Sequence, residues 1–368
     1  MTHQVKRTSD SENPILTISA KNGWMDQKDR FNRVIAGKEL KNYIELYKNE
    51  LSYNHGNSKY AKFGIIYVQR KYKKALVPKV YHSFSMTNGD PRFIENLSLG
   101  HKLDKELSKL ITSGARQDGL LNINKKSFYA IKLFIPSEQE QVKISNIMDV
   151  INHIITLYER KKELLKKFQQ GFSDILFKKN PKECVSLGDY FYFNKGKNIG
   201  NKDLINNGKY YAIVYGELYT TYNYVISKVF SKTSIKGFKG RKNDLLFPSS
   251  STVPFGTATC SALEIDNIEL GNDIIVARPK NTNELDSAFI SYQINSKRKI
   301  LYPIISGTTI THMYSKDLSK IRIWLPNITT QNYISNILQR ISHLNILVDK
   351  KVNILKEIKK EFLNTMFI

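Results

Sequence analysis

The sequence has little cysteine: Cys184 and Cys260 are its two cysteines in 368 residues. Two cysteines cannot staple a chain of this size, and no CxxC pair or histidine-rich tract offers the ligand spacing of a zinc site. The sequence therefore predicts a protein of a reducing compartment, with no disulfide framework, no bound metal and no cofactor.

Long apolar runs are missing as well. No stretch approaches the roughly 18 consecutive apolar residues that a transmembrane helix requires. The first fourteen residues are polar and contain no apolar core of the kind found in secretory signals. These absences predict a cytoplasmic protein that does not cross a membrane.

Catalytic signatures are also absent. The sequence contains no GxxxxGK[ST] phosphate loop, no GxGxxG fingerprint, no GxSxG elbow and no HExxH pair. It also lacks the Asn/Asp-Pro-Pro-aromatic cluster of adenine methyltransferases and the Pro-Asp dipeptide of one nuclease class. The seven histidines form no cluster in the sequence. The pattern predicts a binding protein with no catalytic residues.

Acidic residues are scarce relative to basic ones, with 33 Asp and Glu against 57 Lys and Arg, a formal net charge of +24. Such an excess predicts a polyanionic partner, and solubility alone is the alternative. Residues 136–180 and 326–368 together carry +5, so +19 remains on the rest of the chain. The charge therefore predicts that nucleic acid binds outside these two segments.

An internal repeat is the strongest positive signal. Residues 136–177 and 326–367 align without a gap at a spacing of 190, and 14 of 42 positions are identical. The identities include Pro136 and Pro326, and Gln141 and Gln331. Proline commonly opens a helix, and both prolines follow strand-like residues. The repeat predicts that the chain is a tandem duplication of a globule followed by a helix.

Within each copy, apolar residues recur at alternating steps of three and four, which is a heptad pattern. Each helix can span about 35 residues, or about 50 Å. The pattern predicts an antiparallel intramolecular coiled coil, and two independent amphipathic helices are the alternative. Matched lysines at 161 and 351 would fix its register. The predicted seam consists of Ile147, Ile151, Ile154, Tyr158, Lys161, Leu165, Phe168 and Phe172 in the first helix, and Ile337, Ile341, Leu344, Val348, Lys351, Leu355, Ile358 and Phe362 in the second.

The remaining segments alternate short β-branched and aromatic runs with Gly, Asn, Ser and Asp, which is typical of small strands with intervening short helices. We predict an α+β protein whose two globules are joined by two long helices. The predicted segments are 1–135 (globule), 136–180 (helix), 181–325 (globule) and 326–368 (helix). The second globule has a leader before its first buried strand that the first lacks, so we expect the first globule to be short at its front.

Two basic runs and two isolated arginines are the candidates for DNA contact. Lysine acts as a point charge towards phosphates, whereas arginine can also read a guanine edge. Each run alone also fits a solvated surface. The candidate residues are Arg70, Lys71, Lys73, Lys74, Arg92, Arg116, Lys236, Lys239, Arg241 and Lys242.

Two variable globules, each followed by proline, a short glutamine-containing turn (SEQEQ at 137–141, NITTQ at 327–331) and a Lys/Leu-rich helix, resemble the specificity subunit of type I restriction-modification enzymes. The resemblance covers nearly the whole chain. It implies that each globule recognises one half of a split, asymmetric site in double-stranded DNA. It also implies that the helices form the spacer and dock two methyltransferase subunits, through which restriction subunits join. The first globule departs from the family pattern, in which members carry the counterpart of residues 185–207 before the corresponding strand.

Two other functions compete with this interpretation. A coiled-coil scaffold could carry basic globules that bind nucleic acid without sequence choice, and equal affinity for random DNA would favour it. A nuclease with an unrecognised site would show metal-dependent cleavage by the isolated chain.

Overall fold

The computed structural model describes residues 2–8, 13–31, 42–111, 120–177, 184–253 and 255–366. The chain divides into two compact units. Unit 1 comprises residues 1–159 and 350–368, and unit 2 comprises residues 160–349. Two long helices, α5 (Glu138–Leu176) and α10 (Ile328–Thr365), each contribute one part to each unit.

Unit 1 contains a four-stranded antiparallel sheet in the order β1-β8-β5-β6, with β2 paired to β3 and β4 paired to β7. Its strands are β1 (Thr2–Gln4), β2 (Leu16–Ser19), β3 (Gly23–Asp26), β4 (Ile44–Tyr47), β5 (Leu51–Asn54), β6 (Ile65–Val68), β7 (Lys74–Val77) and β8 (His82–Met86). Its short helices are α1 (Gln27–Phe31), α2 (Pro91–Leu99), α3 (Asp104–Lys109) and α4 (Lys125–Tyr129). Helix α2 begins where the Asp90 carboxylate accepts a hydrogen bond from the Arg92 N–H, and Pro91 occupies its first turn.

Unit 2 contains a five-stranded sheet in the order β10-β19-β15-β17-β12, a four-stranded sheet β13-β11-β18-β14, a three-stranded sheet β16-β21-β20 and the pair β22-β9. Its strands are β9 (Cys184–Ser186), β10 (Phe191–Lys195), β11 (Tyr210–Ile213), β12 (Val225–Ile226), β13 (Lys232–Thr233), β14 (Phe238–Gly240), β15 (Leu245–Pro248), β16 (Ser250–Ser251), β17 (Ser261–Leu263), β18 (Ile268–Leu270), β19 (Ile274–Pro279), β20 (Ile305–Ser306), β21 (Thr311–Met313) and β22 (Arg322–Trp324). Its helices are α6 (Leu187–Tyr190), α7 (Glu217–Thr220), α8 (Ser287–Ser296) and α9 (Ser315–Leu318), with 3-10 turns at Asn201–Asp203, Arg298–Ile300 and Tyr302–Ile304.

The main sheets of the two units have a common plan. The order β1-β8-β5-β6 of unit 1 corresponds to β10-β19-β15-β17 of unit 2, and each sheet precedes a helix with an aspartate N-cap. The caps are Asp90 and Asp286, and the repeated glutamines hold both: Gln141 Oε1 accepts the N–H of Asp90 at 3.1 Å, and Gln331 Oε1 accepts that of Asp286 at 3.0 Å. The mixed α/β fold with two long helices is as predicted.

The long helices pack antiparallel in both units. In unit 2, Gln169 bonds to Ser342 and Asn345, and Lys162 pairs with Asp349, so residue numbers rise on one helix as they fall on the other. In unit 1, Lys356 pairs with Glu159 at 2.6 Å. The helices lie inside the predicted segments 136–180 and 326–368.

At every second position of the predicted seam, the residue that packs between the helices differs from the one predicted. Ile151, Tyr158, Leu165 and Phe172 are at least half-buried, as are Ile341, Val348, Leu355 and Phe362. The predicted positions between them point outwards, and the next residue packs instead. Six of these positions are exposed: Ile147, Lys161, Phe168, Leu344, Lys351 and Ile358. The other two, Ile154 and Ile337, are half-buried. The neighbours that pack instead are Met148, Ile155, Lys162, Gln169, Leu338, Asn345, Val352 and Lys359.

Two apolar stripes one residue apart explain this correction, because the spacing of either stripe fits a helix. Four of the eight packed neighbours are polar, namely Lys162, Gln169, Asn345 and Lys359, so hydrophobicity alone did not distinguish the two stripes. Gln169 Nε2 donates to Ser342 Oγ at 3.1 Å, and Asn345 Nδ2 donates to Gln169 Oε1 at 3.0 Å. These amides make polar contacts between the two helices, whereas Lys161 and Lys351 are exposed.

Candidate nucleic-acid interface

The basic run 236–242 lies at the edge of a sheet in unit 2. Strand β14 is the outer strand of the sheet β13-β11-β18-β14. Residues 239–244, which comprise the end of this strand and the turn that follows it, are here called the basic turn. The side chains of Lys236, Lys239, Arg241 and Lys242 are exposed, and none makes an ion pair with a described acidic residue. Four cations on one exposed strand and turn can contact a phosphate backbone.

A buried ion pair holds this turn. Arg278 on β19 donates from Nε to Asp244 Oδ1 at 2.8 Å and from Nη2 to Asp244 Oδ2 at 2.7 Å. The same Nη2 reaches the carbonyl oxygen of Lys239 at 2.9 Å, and Asp244 accepts the backbone N–H of Arg241 at 2.8 Å. The Asp244 side chain is 1% exposed and that of Arg278 is 21% exposed, so the carboxylate end of the bidentate contact is buried. The contacts of Arg278 raise its pKa above the ordinary value, first through the hydrogen bonds with Asp244.

The tip of the turn is fixed on its other side by Asn243. This residue has φ of 70°, the left-handed conformation that asparagine tolerates better than bulky residues. Its Nδ2 donates to the carbonyl of Leu285 at 2.7 Å, and its Oδ1 accepts the N–H of Ser287 at 2.8 Å. The N–H of Lys242 donates to Asp266 at 2.9 Å. The turn therefore presents Arg241 and Lys242 from a rigid backbone.

The residues that support the turn were not predicted from the sequence. Arg278 and Asp244 are 34 positions apart, and Arg278 lies within a strand of mostly buried residues. The one available signal was a charged residue in an otherwise apolar run, because such residues are rarely buried without a partner.

Two exposed aromatic rings form a second unpredicted feature of unit 2. Phe255 and Tyr302 stack with ring centroids 4.6 Å apart, and they are 57% and 37% exposed. Phe255 has φ of 56°, which is strained for a bulky side chain. Exposed, preformed aromatic faces of this kind can stack on bases.

In unit 1, the structure assigns the two candidate arginines to ion pairs. Arg70 pairs with Glu95, and its Nη1 donates to Asp149 on α5 at 2.8 Å. Arg92 contacts Asp90 at 2.6 Å and Asp149 at 2.8 Å. Both guanidinium groups therefore link the globule to the helix, and the predicted contact of either with guanine would require these ion pairs to open.

The carboxylates in this cluster titrate differently because their surroundings differ. Burial acts to raise the pKa of Asp149, but the hydrogen bonds and charges of Arg70 and Arg92 outweigh it and lower the pKa below the ordinary value. Burial dominates for Glu95 and raises its pKa despite the charge of Arg70. Of Asp149 and Glu95, Asp149 is therefore the carboxylate whose surroundings favour the charged form.

The other unit 1 candidates occupy varied positions. Lys71 pairs with Asp26, and Lys74 lies 3.7 Å from Glu45. Lys73 is exposed and makes no ion pair with a described residue. Arg116 lies outside the described residues. Among the described unit 1 candidates, Lys73 is the one without an ion pair to a described acidic residue, and its predicted phosphate contact stays a prediction.

No group of three or more His, Cys, Asp or Glu side chains in the described part of the chain is arranged to hold a metal ion. None of the described helices combines the length and apolar character needed to cross a membrane.

The sequence of the domain that carries the basic turn matches a known family model. The model of the type I restriction modification DNA specificity domain aligns with residues 180–360. Residues 180–360 belong to this family. The match covers β9 to β22 and most of α10, so the basic turn, its supporting ion pair and the aromatic stack all lie in the specificity domain. The resemblance predicted from the repeated helices is confirmed.

A curated relative and two solved structures extend the comparison beyond the specificity domain. The chain is 21% identical over 300 residues to the type I restriction enzyme MjaVIII specificity subunit of Methanocaldococcus jannaschii, covering 75% of this chain and 70% of that protein. Its fold is similar to the S subunit of a type I restriction-modification system from M. genitalium, with a TM-score of 0.63 and 14% identity over 100% of this chain and 93% of the other. A chain from a study of assembly and conformational transition in a type I R-M system aligns with a TM-score of 0.52 and 14% identity, over 89% and 83% of the two chains.

Proposed function

We propose that this chain is the DNA specificity subunit of a type I restriction-modification enzyme. Each globule recognises one half of a split double-stranded site, and the two halves differ because the globules differ in sequence. The long helices dock two methyltransferase subunits, through which restriction subunits join. The chain itself carries out no chemistry and directs bound methyltransferase to one sequence.

The basic turn of the specificity domain is the observation that best supports this function. Phosphate contacts position a protein on DNA, and base contacts select the sequence. Arg241 and Lys242 project from a turn whose backbone is held by Arg278, Asp244 and Asn243. A rigid loop whose arginine makes no ion pair with a described acidic residue can place a guanidinium against a guanine edge, where both donors are used.

The exposed faces of the long helices support the docking role. Outward apolar residues on α5 include Val150, Leu157 and Leu164, which are between 50% and 58% exposed. On α10, Tyr333, Ile346 and Leu347 are between 48% and 69% exposed. Apolar side chains repeated along helices in this way are typical of protein contact surfaces.

The test is co-expression with the methyltransferase subunit of the same system, followed by purification and genome-wide mapping of methylated adenine. We expect a stable complex and one split, asymmetric methylated motif. Arg241→Ala should change or abolish methylation at one half-site while the complex still forms. A complex that methylates without sequence preference, or no complex at all, would contradict the proposal.

A further inference from the structure

The first globule contains a turn at the place where unit 2 has its basic turn. Residues 47–50, here called the unit 1 turn, lead into β5 as residues 241–244 lead into the corresponding strand β15. Both segments contain the sequence Lys-Asn-acid-Leu, which begins at Lys48 in one and at Lys242 in the other. The asparagine is left-handed in both, with φ of 72° and 70°. The two globules thus place a left-handed asparagine at corresponding positions.

The same backbone hydrogen bonds stabilise both turns. Glu50 Oε2 accepts the N–H of Tyr47 at 2.8 Å. Asp244 accepts the N–H of Arg241 at the same distance. In the unit 1 turn, the asparagine N–H donates to the carbonyl of Gln69 and the Gln69 N–H donates to the carbonyl of Glu50, both at 2.8 Å. The asparagine and the aspartate of the basic turn make the matching pair of bonds with β17, at 2.6 and 2.8 Å.

An arginine also supports each turn, although it comes from a different part of each sheet. Arg7 pairs with Glu50, whose side chain is 11% exposed, and its guanidinium carbon lies 4.0 Å from the centre of the Tyr47 ring. Arg278 on β19 has this role in unit 2, and the residue that corresponds to it on β8 is Ser85. Contacts within the fold therefore fix the backbone of the unit 1 turn independently of its exposed side chains.

The two turns differ in how they use the amide of the asparagine. In unit 2, Asn243 donates from its amide to a backbone carbonyl and accepts the N–H of Ser287. Ser287 follows the aspartate N-cap of α8, and the residue that follows the N-cap of α2 is Pro91, which has no N–H. The Asn49 side chain is exposed, and its amide makes no hydrogen bond with a described residue. The donor and the acceptor of this amide can therefore bind a ligand.

Two exposed lysines accompany this amide. Lys48 precedes Asn49, and its N–H donates to the carbonyl of Lys73 at 3.0 Å, so the two lysines lie on adjacent segments. Neither makes an ion pair with a described acidic residue. Lysine contacts phosphate as a point charge, whereas an asparagine amide can bind N6 and N7 of adenine together. The unit 1 turn therefore has groups suited to the phosphates and groups suited to a base edge.

We propose that the unit 1 turn recognises the half-site of the first globule: the amide of Asn49 binds the major-groove edge of adenine, and Lys48 and Lys73 contact the phosphates beside it. The inference rests on the proposed function, because it names the side chains with which one globule selects its half of the target. Arg241, which suits guanine, stands at the same position of the basic turn as Tyr47. Different side chains on corresponding turns thus select different bases in the two half-sites.

The test uses the methyltransferase complex of the full chain, with genome-wide mapping of methylated adenine and titrations on the mapped duplex and its single-base variants. Asn49→Gly removes the amide and leaves a residue that adopts positive φ readily. We expect the preference for adenine at one position to fall by about 10- to 100-fold, in the half-site that Arg241→Ala leaves unchanged. Lys48→Ala should weaken binding to all duplexes alike and reduce the salt slope by about one. Asn22→Gly, in the exposed turn between β2 and β3, is the matched control and should leave both half-sites unchanged.

A second variant gives a change of preference that misfolding cannot produce. Asn49→Asp keeps the size of the side chain and tolerates the left-handed backbone, but both of its oxygens only accept hydrogen bonds. The preferred base at that position should change from adenine to cytosine, whose N4 is a donor. Adenine retained in either variant, or a change in the half-site that Arg241→Ala alters, would overturn the inference and leave the proposed function standing. A parent complex without a split motif would overturn both.

Discussion

Arg278 binds Asp244 through two parallel hydrogen bonds of 2.8 and 2.7 Å, and both residues also hydrogen-bond to the backbone of the basic turn. Asp244 also accepts the N–H of Arg241, while Arg278 reaches the carbonyl of Lys239. One buried pair therefore sets the conformation of both ends of the turn. Hydrogen bonds beneath the surface of the specificity domain therefore fix the positions of its exposed cations.

Removing one partner of this pair should cost more stability than removing both. Arg278→Met leaves the Asp244 carboxylate buried without its partner, and breaking such a pair costs about 3–5 kcal/mol. Arg278→Met combined with Asp244→Asn should recover part of that loss. Urea unfolding of the two single variants and the double variant measures the coupling. The exposed pair of Lys320 and Asp317 is the control, and Lys320→Met should cost less than about 1 kcal/mol. Additive effects at 278 and 244 would contradict the role assigned to the pair.

The basic turn should contribute to DNA affinity through charge that salt can screen. Lys242→Ala should weaken binding uniformly across sequences and reduce the salt slope by about one, as for a phosphate contact. Arg241→Ala should cost about 1–3 kcal/mol on the cognate site and relax the choice of base there. Titrations of the methyltransferase complex at several salt concentrations distinguish these outcomes. Lys316→Ala, at an exposed position of α9, should leave both quantities unchanged.

The position of the seam can be tested with two residues of α10. Ile341 is 7% exposed and packs in unit 2, whereas Leu344 is 45% exposed. Ile341→Ala should destabilise the protein by about 2–5 kcal/mol, because it leaves a cavity in a packed site. Leu344→Ala should cost less than about 1 kcal/mol, as surface substitutions do. Equal losses in chemical unfolding would support the seam predicted from the heptad pattern over the one in the structure.

Buried His82 should make unit 1 less stable in mild acid. Burial, followed by the neighbouring His55 and Lys125, lowers the pKa of His82 from its ordinary 6.5 to about 3. Between these values the unfolded state binds the proton and the folded state does not, so stability rises with pH over this window. The stability that depends on neutral His82 is fully present above about pH 6.5 and is lost progressively as the pH falls below that value.

The comparison for this prediction is His82→Phe, which keeps a ring beside Phe128 and Tyr129 but cannot bind a proton. Unfolding free energies measured from about pH 7 to about pH 5 should fall less steeply in this variant than in the parent chain. An unchanged slope in His82→Phe would show that His82 is not the titrating group.

Chain order and periodicity determined the architecture of this protein. The 190-residue repeat, the two prolines and the heptad spacing predicted two α+β globules, each followed by a long helix, and the structure contains them. Gln141 and Gln331 were visible as identities, and the structure gives both the same role at an aspartate N-cap. Such features are local or periodic, so they can be read along the chain.

Tertiary structure alone decided which residues are exposed. Arg70, Arg92 and Arg241 look alike in the sequence, yet two of them are held by carboxylates and the third is unpaired by any described acidic side chain. The seam depends on amides at Gln169 and Asn345 that no hydrophobic pattern reveals. Pairing a charge or burying an amide depends on partners that are distant in sequence, and only folding brings those partners within hydrogen-bond distance.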